Sequence, residues 1–214
     1  MTKTKTKPVE KSLEQQRAEY LAKCEPTDFV FIRGQETAKR ALTVALAGYH
    51  SVALVGPTGQ GKTMLLKAAD AIYTIVANKL VSTEFSLNDI GTRASKRRQH
   101  LQFLRDAKAF DLHIEVPKVP FYELTGKGLG TATEHVTKRV IEARKFGLDH
   151  TDLTLDTDCQ QLLKAAYNEL GFTRATIPIV TRIARTIANL DQSDKIQVFN
   201  LAEAIQYRLF DRTR

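Results

Sequence analysis

Residues 56–63 read Gly-Pro-Thr-Gly-Gln-Gly-Lys-Thr, and this octapeptide constrains the fold more than any other stretch of the chain. It satisfies G-x-x-x-x-G-K-[ST] at every fixed position, a pattern whose chemistry requires a strand before it and a helix after it. Both are legible. Val52-Ala53-Leu54-Val55 is a short apolar run, and Met64 to Val76 carries apolar residues at helical spacing. Glycines at 56, 59 and 61 let backbone N–H groups curl around an anion with no Cβ in the way. Lys62 adds a point charge and Thr63 a hydroxyl suited to Mg²⁺, while Pro57, Thr58 and Gln60 complete the cradle. The helix start turns its positive end toward the same point. The bland alternative is a glycine-rich turn with a surface lysine, and the strand, loop and helix context weighs against it. The expectation is a bound nucleoside triphosphate.

At 214 residues and 43% hydrophobic content, the chain has material for one α/β domain and a smaller helical one. No segment has the uninterrupted apolar length of a membrane span. Met1 to Glu10 alternates Lys with Thr and lacks the apolar segment of a secretory signal, the pattern of a flexible basic tail. A cytoplasmic protein is expected. Cys24 and Cys159 have no C-x-x-C partner or His cluster, so neither a zinc site nor a disulfide framework is supported. A formal net charge of +8 favours polyanions but is also an ordinary solubility device. Its densest run is Arg93, Lys96, Arg97 and Arg98, a candidate nucleic-acid contact. Arg93, Arg97 and Lys108 share one helical face and Leu101 and Leu104 another, which describes a solvated helix as readily. The solvated reading is slightly ahead.

Along the chain, Lys11 to Cys24 reads as a helix, and Glu36 to Ala47 as a second that ends at Gly48. Leu80 to Phe85 is a candidate strand and Ala94 to Ala109 a helix. Asp111 to Val116 alternates and is β-rich, with Pro117 and Pro120 ending it. Thr131 to Phe146 reads as a helix with Val136, Val140, Ile141 and Ala143 inward. Three further helices follow, at Asp156 to Leu170, Arg174 to Leu190 and Leu201 to Leu209. Asn200 and Glu203 have the spacing of a capping box for the last.

Three blocks resemble the magnesium-chelatase-type AAA+ ATPases, most closely their bacterial competence-associated ComM branch. They are Ile32-Arg33-Gly34-Gln35-Glu36-Thr37-Ala38-Lys39-Arg40-Ala41-Leu42 running on to Leu66; Asp111 to Pro120; and Ala184 to Leu190 with Leu201 to Arg208. The resemblance implies an α/β fold: a reduced P-loop NTPase core with a small parallel sheet covered by helices, then an all-helical lid domain. The expected division is a tail at 1–10, a nucleotide-binding core at 11–125 and the lid at 126–214. It also implies ATP and Mg²⁺ as cofactors, with Ile32 and Gly34 on the adenine side. The ComM branch is associated with DNA branch migration, which implies a DNA-processing setting.

The chain departs from the family where hydrolysis is concerned. Walker B needs an apolar run ending in Asp-Glu, one carboxylate for Mg²⁺ and one for the attacking water. No Asp-Glu dipeptide occurs in the sequence. The substitutes are Asp89 and Glu115, each in a weak context where a surface or capping role is the stronger reading. The family's lid arginine falls on Ala175, with Arg174 adjacent but about 100° away on a helix. In the family's sheet the strand before the loop and the last strand are neighbours, so Val52 to Val55 is expected to pair with Leu112 to Val116. The leading expectation is an ATP-binding protein with weak or absent autonomous hydrolysis, acting as a regulatory or assembly subunit, as a homo-oligomer or in a mixed ring with a complete AAA+ homologue. A basic nucleic-acid-binding module with a relic loop, and an active ATPase using a replacement carboxylate, are the alternatives.

Overall fold

The computed structural model describes residues 27–76, 82–86, 109–125 and 130–211. Its central element is α1 (Glu36–Gly48), in which every side chain from Ala38 to Ala47 except Arg40 is buried. A helix apolar on all sides has to be enclosed. It is enclosed by α2 (Lys62–Val76), α4 (Thr133–Gly147), α6 (Thr176–Leu190) and β3 (Leu112–Glu115). α1 ends where the sequence places its end, because a Cβ on Gly48 would lie 2.3 Å from both His50 Nε2 and Thr186 Oγ1. Only glycine admits α6 this closely.

β1 (Val52–Gly56) is buried along its whole length, as a strand covered on both faces should be. The expected partner is there: β1 and β3 run parallel in the register Val52↔Leu112 to Val55↔Glu115. The sheet also has a third strand, β2 (Ser82–Ser86), parallel to β1 on its other side, giving the order β2-β1-β3. Among the described residues it covers Ser82 to Phe85 of the expected Leu80–Phe85 strand and continues to Ser86, which lies opposite Gly56. α2 buries Leu65, Ala68, Ala69 and Ile72 against the rest of the core. The helices expected at Lys11–Cys24 and Ala94–Ala109 fall outside the described residues except for Ala109, which stands in a turn.

The short α3 (Phe121–Thr125) follows Pro120, whose carbonyl accepts the Glu123 N–H at 3.0 Å. α4 turns Val136, Thr137, Val140 and Ala143 inward. Ile141 was expected with them but is 49% exposed, because one residue beyond Val140 is a rotation of about 100° away from the buried stripe. α5 (Thr157–Leu170) is capped by Asp156, which accepts the Cys159 N–H at 2.8 Å, and ends at Gly171 with φ 72°. α6 begins at Thr176 rather than Arg174, after a turn in which Thr176 N–H bonds the Thr173 carbonyl. The last helix, α7, is Val198–Gln206 and not Leu201–Leu209. Asn200 therefore stands in its first turn, accepting the Gln197 N–H at 2.9 Å and donating to Asp191 at 3.0 Å. Glu203, freed from capping, bonds Arg40 at 2.9 Å and Tyr207 at 2.7 Å, tying α7 to α1.

One continuous apolar core runs through α1, the sheet and α4 to α7. The helical module is fastened to the N-terminal ends of the strands. His113 N–H bonds the Tyr207 carbonyl at 2.7 Å, and the buried Arg208 guanidinium donates to the Phe110 and Asp111 carbonyls while pairing with Asp211 at 2.6 Å. Asp111 accepts from the Ser51 N–H at 3.0 Å and lies 3.6 Å from Arg182 of α6. The opposite ends of the strands are left for the glycine loop.

Candidate phosphate-binding site

The loop leaves β1 at Gly56. A Cβ there would sit 2.2 Å from the Val116 carbonyl oxygen, so this glycine is required by the approach of β3 and not by an anion. Gly59 and Gly61 differ. Their φ angles are +79° and +85°, and a Cβ on either would meet nothing within 4 Å, so the left-handed backbone is what demands glycine. The Gly61 carbonyl accepts the Leu65 N–H at 2.9 Å, which starts α2 and leaves the first N–H groups of a 15-residue helix at the loop.

Lys62 is 6% exposed, and its ammonium donates to the Gly56 carbonyl at 3.0 Å and to the Pro57 carbonyl at 2.9 Å. A lysine bonded in this way braces the loop from within. Thr58 and Thr63 are exposed, and Gln60 Nε2 donates to the Thr58 carbonyl at 3.4 Å.

Beside the loop lies a cleft of about 340 Å³. It is lined by Phe31, Ile32, Arg33 and Gln35 before α1, by Gly59, Gln60, Gly61 and Met64, and by Lys118, Val119 and Leu124 after β3. Gln35 has a left-handed backbone (φ 58°) and its Nε2 donates to the Pro117 carbonyl at 2.6 Å, joining the first segment to the third. Ile32 is therefore brought to the loop as expected. Its carbonyl also accepts the buried Lys39 ammonium at 2.6 Å. Gly34 does not line the cleft; it has φ +64°, and a Cβ there would meet Glu123 Oε2 at 2.5 Å. Gln35, Met64, Lys118, Val119 and Leu124 were not singled out from sequence, and only the chain fold gathers them.

Glu115 is exposed at the end of β3, opposite Val55 and so one residue short of the loop. Arg174 is not brought to the loop. It is exposed in the turn before α6, and Thr176 nearby bonds Asp211 at 3.1 Å, which in turn holds Arg208 against the starts of the strands. Asp89, Arg93, Lys96, Arg97 and Arg98 lie outside the described residues. At the far end of the sheet His50 Nε2 bonds Thr186 Oγ1 at 2.9 Å, with Asp111 at 3.9 Å. Burial pushes this histidine down to about 4 despite the neighbouring Asp111, with Arg182 adding to the depression. It is a neutral structural group. Burial likewise pushes the Cys159 thiol up to about 11.

A parallel sheet, a glycine loop at the C-terminal end of its middle strand, and a lysine opening the next helix define an α/β protein of the phosphate-loop class. Comparison with known sequences is consistent with this and narrower. Residues 28–119 match the family described as magnesium chelatase, subunit ChlI, and residues 148–208 match its C-terminal region. The chain is 36% identical over 83 residues to competence protein ComM of Haemophilus influenzae, covering 34% of this chain and 16% of that protein. It is 37% identical over 71 residues to the uncharacterized protein YifB of Salmonella typhimurium, covering 33% of this chain and 13% of the relative. The chain belongs to the magnesium-chelatase-type AAA+ family, on its ComM branch. The matches span less than a fifth of these relatives' length. Among the described residues, no helix is long and apolar enough to cross a membrane.

Proposed function

We propose that this chain binds Mg-ATP at residues 56–63, hydrolyses it weakly or not at all on its own, and acts as a regulatory or assembly subunit in a DNA-processing setting. The observation that carries the binding is the loop: two glycines in left-handed backbone with open space above them, set at the start of a long helix and beside a cleft. These residues fit the nucleotide. Gly59, Gln60 and Gly61 would supply backbone N–H groups, Lys62 its charge and Thr63 its hydroxyl to Mg²⁺. Phe31, Ile32, Met64, Val119 and Leu124 supply apolar side chains for a base, with Gln35 holding their two segments together. When bound, Mg²⁺ neutralises phosphate charge and polarises the terminal phosphoryl group.

Weak turnover is supported by what the chain lacks and by where its arginine lies. The sequence has no Asp-Glu pair, and Arg174 belongs to the end of the molecule away from the loop. An arginine finger alone is worth roughly 10³ to 10⁵ in rate. A homo-oligomer or a mixed ring with a complete AAA+ homologue would restore such groups. Similarity to a competence protein and the net charge of +8 support the DNA setting. The test is titration of a fluorescent ATP analogue with Mg²⁺ against wild type and Lys62→Ala, with phosphate release followed in the same tubes. Binding lost in the variant, with no release from wild type, is the expected result. No binding by wild type would make the loop a relic and favour a nucleic-acid module, whose DNA affinity would fall steeply with salt and ignore ATP.

A second reading, an active ATPase, is favoured by the placement of Glu115, exposed and level with the last residue before the loop. Phosphate release by wild type that disappears in Glu115→Gln, with analogue binding retained, would establish it.

A further inference from the structure

We propose that Lys118 is a further nucleotide-binding residue whose ammonium attracts the polyphosphate; this rests on reading the loop as an ATP site. The exit of β3 is held against the loop entrance, since Val116 N–H bonds the Val55 carbonyl at 2.7 Å and the Val116 carbonyl crowds Gly56. The next residue, Pro117, has its carbonyl clamped by Gln35 at 2.6 Å. Pro117 and Pro120 bracket Lys118 and fix two backbone φ angles around it. Lys118 thus has an anchored root and an exposed side chain, and it lines the same cleft as Gly59, Gln60 and Gly61.

Lys118 lies on the boundary between the cleft and a neighbouring cavity. Among the described residues the charged side chains lining the cleft are Arg33 and Lys118, with no carboxylate beside them. Glu36 and Glu123 line the neighbouring cavity, whose wall Lys118 shares, so its root stands between the two. Among the described residues no ion pair involves Lys118. An ammonium on a four-carbon stem, set at the edge of a cleft beside an anion cradle, interacts more strongly the more charge a ligand brings. Its contribution should therefore grow from mono- to tri-phosphate. A residue that merely packs its stem on the base would affect all three alike.

The experiment measures affinities of wild type, Lys118→Gln, Lys118→Arg and Lys62→Ala for fluorescent ATP, ADP and AMP analogues with Mg²⁺, at low and at high salt. Lys118→Gln is expected to weaken ATP about five- to tenfold at low salt, ADP less, and AMP by less than about twofold, with the ATP effect shrinking as salt rises. Lys118→Arg should stay near wild type. Lys118 is exposed, so the Gln variant should fold normally, which circular dichroism checks. An unchanged ATP affinity in Lys118→Gln, or an equal loss for all three nucleotides, overturns the proposal while leaving the ATP site standing. A wild type that binds none of the three overturns both.

Discussion

The two kinds of glycine in the loop respond differently to one added methyl group. In Gly56→Ala the new Cβ would lie 2.2 Å from the Val116 oxygen and 3.4 Å from its Cβ. Normal carbon-oxygen contact is about 3.3 Å, so β1 and β3 would have to separate by about 1 Å. Because the clash is with backbone, no rotamer change relieves it. Separation strains the Val116 N–H bond to Val55, 2.7 Å long, whose net worth is about 1 kcal/mol. Forced overpacking adds about 1–3 kcal/mol, and the sum is about 2–4 kcal/mol. In a chain of this size 1 kcal/mol moves Tm by about 2–4 °C, so Gly56→Ala should melt about 5–15 °C below wild type. Gly59→Ala meets no atom within 4 Å and has only its φ of +79° to contend with. That costs about 1–2 kcal/mol, or a few degrees. Thermal denaturation followed by far-UV circular dichroism compares the two variants directly. A smaller loss of Tm in Gly56→Ala than in Gly59→Ala would refute the assignment of Gly56 to strand packing.

Arg208→Ala should be among the most damaging single changes away from the loop. It leaves the Asp211 carboxylate, 6% exposed, without its cation, a loss of about 3–5 kcal/mol visible in urea denaturation. Replacing Arg208 and Asp211 together with Met and Leu should recover part of it. His50 makes stability depend on pH with a definite sign. Its folded pKa of about 4 lies below the ordinary 6.5, so the unfolded chain binds the proton first. Stability contributed by the neutral ring is complete above pH 6.5 and is lost as pH falls toward 4, by up to about 3 kcal/mol. Denaturation midpoints for His50→Gln should fall less than those of wild type across that window, and parallel curves would exclude the histidine.

Much of the architecture was legible because it rests on local rules. The loop octapeptide, the apolar strand at 52–55, the alternating strand after Asp111 and the helix stopped at Gly48 are each specified by residues next to one another in sequence. The errors were also local. Apolar character points Ile141 inward while its position on the helix turns it out, and Asn200 has the look of a cap for a helix from Leu201 while it serves inside the first turn of α7. Of the two residues that the family resemblance puts on the adenine side, Ile32 lines the cleft and Gly34 does not.

What the sequence determined by itself is that this chain has a strand, a glycine cradle and a helix suited to phosphate, since spacing over eight residues suffices for that. Tertiary structure alone decided what faces the cradle. Gln35, Lys118, Val119 and Leu124 are brought to it by the pairing of β1 with β3 and by one side-chain hydrogen bond to Pro117. It also decided that Arg174 lies at the other end of the strands, where Arg208 and Asp111 fasten the helices to the sheet. Contacts between residues some eighty to a hundred positions apart depend on packing and register, and no local pattern of side chains encodes them.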